Sequence, residues 1–175
     1  FGSYESSSEL ALATSTRFFK EAGAMAVKLE GAHLETVKKL VSVGIPVMGH
    51  LGLTPQSLHQ LGGYRVQGRT DGDVILAAAI ELEKAGAFAI VLELVPAELA
   101  ARITAALKIP TIGIGAGVNC DAQVLVWTDL MGMGKSAPKL AKAYRNLRVE
   151  MLAATKEWAD DVVGGVFPGP EQTFN

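Results

Sequence analysis

The 175-residue chain is 49% hydrophobic and 19% charged, with a formal net charge of −2. That near-neutral balance, without a basic cluster, argues against nucleic acid or an anionic membrane surface as the main partner. No apolar run reaches the about 18 residues of a membrane span, no signal-peptide pattern leads the chain, and the single Cys120 excludes an internal disulfide, which suits a reducing cytoplasm.

The length fits one domain, 1–175, since domains run to about 100–200 residues. The chain opens on Phe1-Gly2-Ser3-Tyr4 rather than Met, as expected of a cleaved start or of a sequence entering a fold partway through. SELALATSTRFFKEAG (8–23) has apolar residues at helical spacing and stops at Gly23. AMAVKLEG (24–31) reads as a strand, HLETVKKLVSVG (33–44) as an amphipathic helix, and IPVMGHLG (45–52) as the next strand. A loop with a short helix is expected over 53–70, then a helix over 72–85 and strand AFAIVLELVP over 87–96. Helix 97–107 leads to strand IPTIGIGAG (109–117), QVLVWTD (123–129) reads as a last strand, and about 137–163 as a long helix.

Five apolar strands alternating with helices indicate an α/β fold with a parallel sheet, either doubly wound or a (β/α)8 TIM barrel. A GxGxxG fingerprint is absent, which weakens the dinucleotide-binding reading. Polar residues cluster instead at strand carboxyl ends, where barrel enzymes carry their chemistry: Lys28, Glu30, His50, Glu93 and the glycines of GIGAG (113–117).

Alternate strand residues share a face, so Lys28 and Glu30 point one way and Val27 and Leu29 the other. A lysine there can clamp a carboxylate, and a carboxylate can hold a hard cation or its waters. On spacing alone, a solvated pair at a strand end is the favoured reading. Glu93 has apolar neighbours on both sides, which should raise its carboxyl pKa and equip it for proton transfer; a structural carboxylate capping the next helix is the alternative. His50 can bind a metal, act as acid or base, or support neighbouring side chains by hydrogen bonding, and the supporting role is the better expectation. His33 and His59 read as solvated, and the three histidines make no zinc motif. The GIGAG glycines can approach an anion or merely turn the chain.

AVKLEG, VMGHLGLTPQS, LGGYRVQGRT, AGAFAIVLELVPAELA, IPTIGIGAG, QVLVWTD and the closing GGVFPGPEQTF resemble, in order, the sequence blocks of the ketopantoate hydroxymethyltransferase family. The resemblance implies a (β/α)8 TIM barrel of the phosphoenolpyruvate/pyruvate type, of which this chain holds about the last five βα units and a C-terminal helix. It implies homodecameric assembly, a Mg²⁺ site, a 2-oxo acid substrate and 5,10-methylenetetrahydrofolate as co-substrate, with no nucleic-acid or membrane partner. Lys28 would bind the 2-oxo acid, Glu30 would belong to the metal site, and Glu93 would be the proton acceptor. His50 matches a histidine near the active site.

The family's first three strands, with a Gly-Asp-Ser motif and a second aspartate just before Phe-Gly-Ser-Tyr, have no counterpart here. Those aspartates are the family's direct metal ligands and are expected ahead of Phe1; a polypeptide truly starting at Phe1 is expected to be inactive and poorly folded. The implied reaction converts 3-methyl-2-oxobutanoate to 2-dehydropantoate through an enolate. The alternatives are a Mg²⁺-dependent 2-oxo acid lyase or mutase on the same barrel type, and a non-catalytic barrel subunit.

Overall fold

The computed structural model describes residues 2–174. The helices start and stop on local signals. In α1 (Ser8–Ala22) the Ser7 hydroxyl accepts the Leu10 N–H at 3.1 Å, and Gly23, at φ 66°, ends the helix in the left-handed region. There follow β1 (Val27–Lys28), α2 (Leu34–Ser42), β2 (Val47–Gly52), a 3₁₀ turn at Pro55–Ser57, α3 (Gly72–Lys84), β3 (Ala89–Glu93), α4 (Ala97–Ala106), β4 (Thr111–Ile114) and β5 (Ala122–Gln123).

The five strands form one parallel sheet in the order β1-β2-β3-β4-β5. A doubly wound sheet reverses its order partway, whereas barrel winding always adds the next strand beside the last. The consecutive order therefore matches the barrel expectation. Helices α1 to α4 pack each on the next, and their apolar stripes meet Val47, Leu51, Ile90 and Leu92 of the sheet. Leu40, Leu82, Ile90, Leu92 and Ile103 are each 0% exposed, a burial that contributes roughly 1.5–3 kcal/mol per side chain. Because alternate residues change face, Lys28, His50 and Glu93 are left on the side away from the helices.

Both edge strands are shorter than their apolar runs suggest. β1 spans two residues, although the N–H groups of Leu29 and Gly31 continue the ladder to Met48 O and His50 O at 3.1 and 2.9 Å. The expected strand over 123–129 stops at Gln123, because β4 ends at Ile114 and offers partners only at Ile112 and Gly113. Beyond it, Val126 O accepts the N–H groups of Asp129 and Leu130, which winds Trp127–Leu130 into the short helix α5.

The chain divides into two compact units, 1–124 and 125–175. In the second, the helix expected from 137 begins only at Leu147. The segment before it is tied elsewhere: Tyr144 N–H bonds Leu130 O at 2.8 Å and Leu147 N–H bonds Met131 O at 3.0 Å. The Asn146 side chain then caps Val149, and α6 runs Leu147–Val163. No helix among the described residues is long and apolar enough to cross a membrane.

The amino end of the sheet is locked by two carboxylates. Glu83 accepts the N–H groups of Lys108 and Ile109 at 2.6 and 3.1 Å, closing the turn into β4. Asp121 accepts both the N–H and the hydroxyl of the fully buried Thr111, at 2.8 and 3.1 Å. These bonds, the backbone one foremost, hold the Asp121 carboxyl below its usual range. A carboxyl so lowered contributes stability that is present above its unfolded value, about 3.9, and is lost as pH falls through the folded one. Asp121→Asn should therefore lower the melting temperature at pH 7, with the gap to wild type closing below about pH 4, as thermal unfolding followed by circular dichroism would show.

Candidate active site

Lys28, His50 and Glu93 come from three neighbouring strands and meet at the carboxyl ends. The register sets His50 opposite Val91 and Lys28 opposite Met48, so the three side chains stand on one face in adjacent rows. Lys28 Nζ lies 3.1 Å from His50 Nδ1, and His50 Nε2 lies 3.2 Å from Glu93 Oε2. An ammonium group only donates, so Nδ1 must accept and the ring proton must sit on Nε2, facing the carboxylate. The result is a cation, a neutral ring and an anion in line.

His50 is only 2% exposed and Glu93 14%, whereas Lys28 is exposed. One Lys28 N–H is spent on the imidazole, which leaves two for a ligand. The Nε2 contact with Glu93 is close but not aligned: Nε2 is a buried side-chain atom without a directed hydrogen bond. A buried orphan donor beside a carboxylate is costly at rest, and it marks a place where Glu93 or a ligand completes the bond.

Glu30 stands just beyond β1 and is held separately. Its N–H bonds the Tyr4 hydroxyl at 3.3 Å, and its Oε2 accepts the Gln56 N–H at 2.8 Å. Tyr4 in turn packs edge-on against His33, with ring centroids 5.3 Å apart. Burial pushes the Tyr4 phenol above its ordinary pKa, and the adjacent Glu30 carboxylate adds to the shift. Among the described residues no hydrogen bond or ion pair joins Glu30 to Lys28, His50 or Glu93. Spacing in the sequence had placed Lys28 and Glu30 side by side; in the fold each finds its own partner. Tyr4 and Gln56 went unnoticed there because both reach Glu30 across 26 positions, with no local signature.

For a magnesium ion, Glu30 keeps one hard carboxylate oxygen clear of the Gln56 bond, and Mg²⁺ commonly takes one or two carboxylates with substrate oxygens and water. His50 cannot serve, since Lys28 occupies its lone pair. No group of three or more His, Cys, Asp or Glu gathers among the described residues. Glu30 thus fits as one partner of the ion or of its water, not as part of a complete cage. The last GIGAG glycine has a packing explanation: a Cβ on Gly117 would stand 2.4 Å from Ala97 Cβ at the start of α4.

Residues 1–170 match the family model described as ketopantoate hydroxymethyltransferase. The chain belongs to the ketopantoate hydroxymethyltransferase family. It is 57% identical over 178 residues to the 3-methyl-2-oxobutanoate hydroxymethyltransferase of Frankia alni, covering 99% of this chain and 59% of that protein. The same-named protein of Saccharopolyspora erythraea is 58% identical, over 99% of this chain and 61% of its own length. That of Mycobacterium marinum is 54% identical, over 99% and 60%. The chain thus spans about three fifths of the length of these curated relatives. The parallel sheet of this family member is consistent with part of the barrel expected of it.

The tautomer is directly measurable. In long-range ¹H–¹⁵N spectra, His50 should show a bare Nδ1 and a protonated Nε2, and Lys28→Met should mix the two forms. A protonated Nδ1 in the native protein would refute the arrangement.

Proposed function

We propose that the protein carrying this chain transfers a hydroxymethyl group from 5,10-methylenetetrahydrofolate to 3-methyl-2-oxobutanoate, giving 2-dehydropantoate. The observation that carries the proposal is the Lys28–His50–Glu93 line at the strand carboxyl ends, with its exposed cation and its sheltered carboxylate. Family membership and the names of the relatives support the choice of reaction.

The 2-oxo acid is an anion, and the two free N–H groups of Lys28 bind its carboxylate or its keto oxygen. Glu93 takes the proton from C3. The C–H electron pair becomes the enolate, whose charge Lys28 faces, and C3 then bonds to the folate-derived methylene carbon as the first of that carbon's two carbon–nitrogen bonds breaks and its nitrogen takes up the proton that left C3. Water supplies the hydroxyl as the second carbon–nitrogen bond breaks, its other proton going to that nitrogen, and tetrahydrofolate leaves. His50 bonds Lys28 at one ring nitrogen and sets the other 3.2 Å from Glu93, so the ring stands between the cation and the base. A magnesium ion associated with Glu30 would supply Lewis-acid polarisation of the 2-oxo acid.

General-base catalysis is typically worth about 10²–10⁴-fold. Glu93→Gln should therefore reduce exchange of the C3 hydrogen with D₂O by about that factor while 3-methyl-2-oxobutanoate still binds. Exchange at the wild-type rate would remove Glu93 from the role. Product formation that requires 5,10-methylenetetrahydrofolate separates this reaction from a lyase or mutase of the same barrel type, which would turn over without it. Lys28→Met should raise KM for the 2-oxo acid and also lower kcat, since the cation both binds the anion and faces the enolate charge, and steady-state kinetics with the oxo acid varied would show it.

A further inference from the structure

Three strands of the sheet leave their carboxyl ends through a glycine at positive φ: Gly31 after β1 (88°), Gly52 at the end of β2 (91°) and Gly115 after β4 (65°). The strand that carries Glu93 does not. It leaves through Leu94, at φ 46°, the sole non-glycine residue at positive φ among those described. Leucine avoids this region because its Cβ crowds the following carbonyl, and such a residue persists only where its surroundings over-determine it.

The surroundings are specific. Glu93 O accepts the Leu53 N–H at 2.8 Å, Leu94 N–H bonds Ile114 O at 2.9 Å, and Leu94 O accepts the Gln67 N–H at 2.8 Å. In a straight strand the N–H and C=O of one residue point the same way, so Leu94 O would face β4. The left-handed turn swings it to Gln67 instead. Three separate segments, after β2, within 58–70 and at the end of β4, therefore fix the two peptide groups that flank Leu94, the first of which directly follows the Cα that carries the Glu93 side chain. Gly52 is the opposite jaw: a Cβ there would stand 2.1 Å from Glu93 O and 2.7 Å from Val95 Cγ1.

We propose that the left-handed backbone at Leu94 and the bare Cα of Gly52 form a clamp that aims Glu93, which makes both of them positioning residues for the proton transfer. The inference rests on the function proposed above. It is the backbone conformation, not the leucine side chain, that sets the aim. Glycine at 94 keeps that conformation, a β-branched residue opposes it, and a Cβ at 52 drives the Glu93 peptide away.

The test is C3 hydrogen exchange of 3-methyl-2-oxobutanoate by the full-length protein. Gly52→Ala and Leu94→Val should each lower kcat by about 10- to 100-fold, the scale for misplacing a reacting group by about 1 Å. KM should stay within about twofold, and Leu94→Gly should keep near-native kcat. In a Glu93→Gln background neither Gly52→Ala nor Leu94→Val should reduce the rate further, because the aim of an absent base no longer matters. If the losses multiply in that background, or if Leu94→Gly falls as far as Leu94→Val, the clamp is wrong. Should Gly52→Ala not fold, the Leu94 pair decides alone. Glu93→Gln exchanging at the wild-type rate is a separate result: it overturns Glu93 as the base, and the clamp with it.

Discussion

A neutral imidazole with a lysine on one nitrogen and a glutamate near the other is the contact around which this site is arranged. His50 is almost wholly buried, so moving Lys28 would strand Nδ1, while Nε2 already lacks a directed bond and has only the Glu93 carboxylate close by. The ring also spaces two opposite charges that would otherwise collapse into a direct pair. A directly paired lysine and glutamate would each be occupied by the other, and neither would be ready for a substrate. Bridged as they are, the lysine keeps two donors and the carboxylate stays unpaired with it on the same face.

That contact depends on the sheet. Parallel pairing puts every carboxyl end on one side, and the consecutive order makes β1, β2 and β3 immediate neighbours. Lys28, His50 and Glu93 lie 22 and 43 positions apart along the chain, yet a single register brings them together (28 to 50, 50 to 93). The helices supply the reason the register holds. Val47, Leu51, Ile90 and Leu92 are buried against the helical layer, and a slip by one residue would turn all of them, and His50 with them, to the wrong face.

Much of this was legible in the chain. Apolar runs bounded by glycine marked the alternation, and charges placed inside such runs singled out Lys28 and Glu93. What could not be read was whatever depends on a partner. Val124 and Val126 carry strand-like alternation, but a strand needs a ladder, and β4 is too short to supply one. The start of α6 was hidden because the residues before it are tied to the Leu130–Met131 backbone. Charge alone suggested that Lys28 and Glu30 act as a pair, whereas His50 takes one and Gln56 holds the other. Leu94 was silent, since nothing in LELVP marks a leucine for the left-handed region. The GIGAG glycines left an anion contact and a simple turn both open; at Gly117 the nearness of Ala97 supplies a steric reason for glycine.

The carboxylates Glu83 and Asp121 tie the opposite end of the sheet, a strand's length from Glu93. Their separation has an evolutionary meaning. Variation around the turns into and out of β4 can raise or lower thermal tolerance while Lys28, His50 and Glu93 stay in place, so adaptation to a new growth temperature need not disturb them. Conversely, changes in the loops beyond Glu30, Gly52 and Leu94 reach the side chains at the carboxyl ends without touching the bonds that Glu83 and Asp121 make at the amino end. One sheet thus offers selection two nearly independent handles.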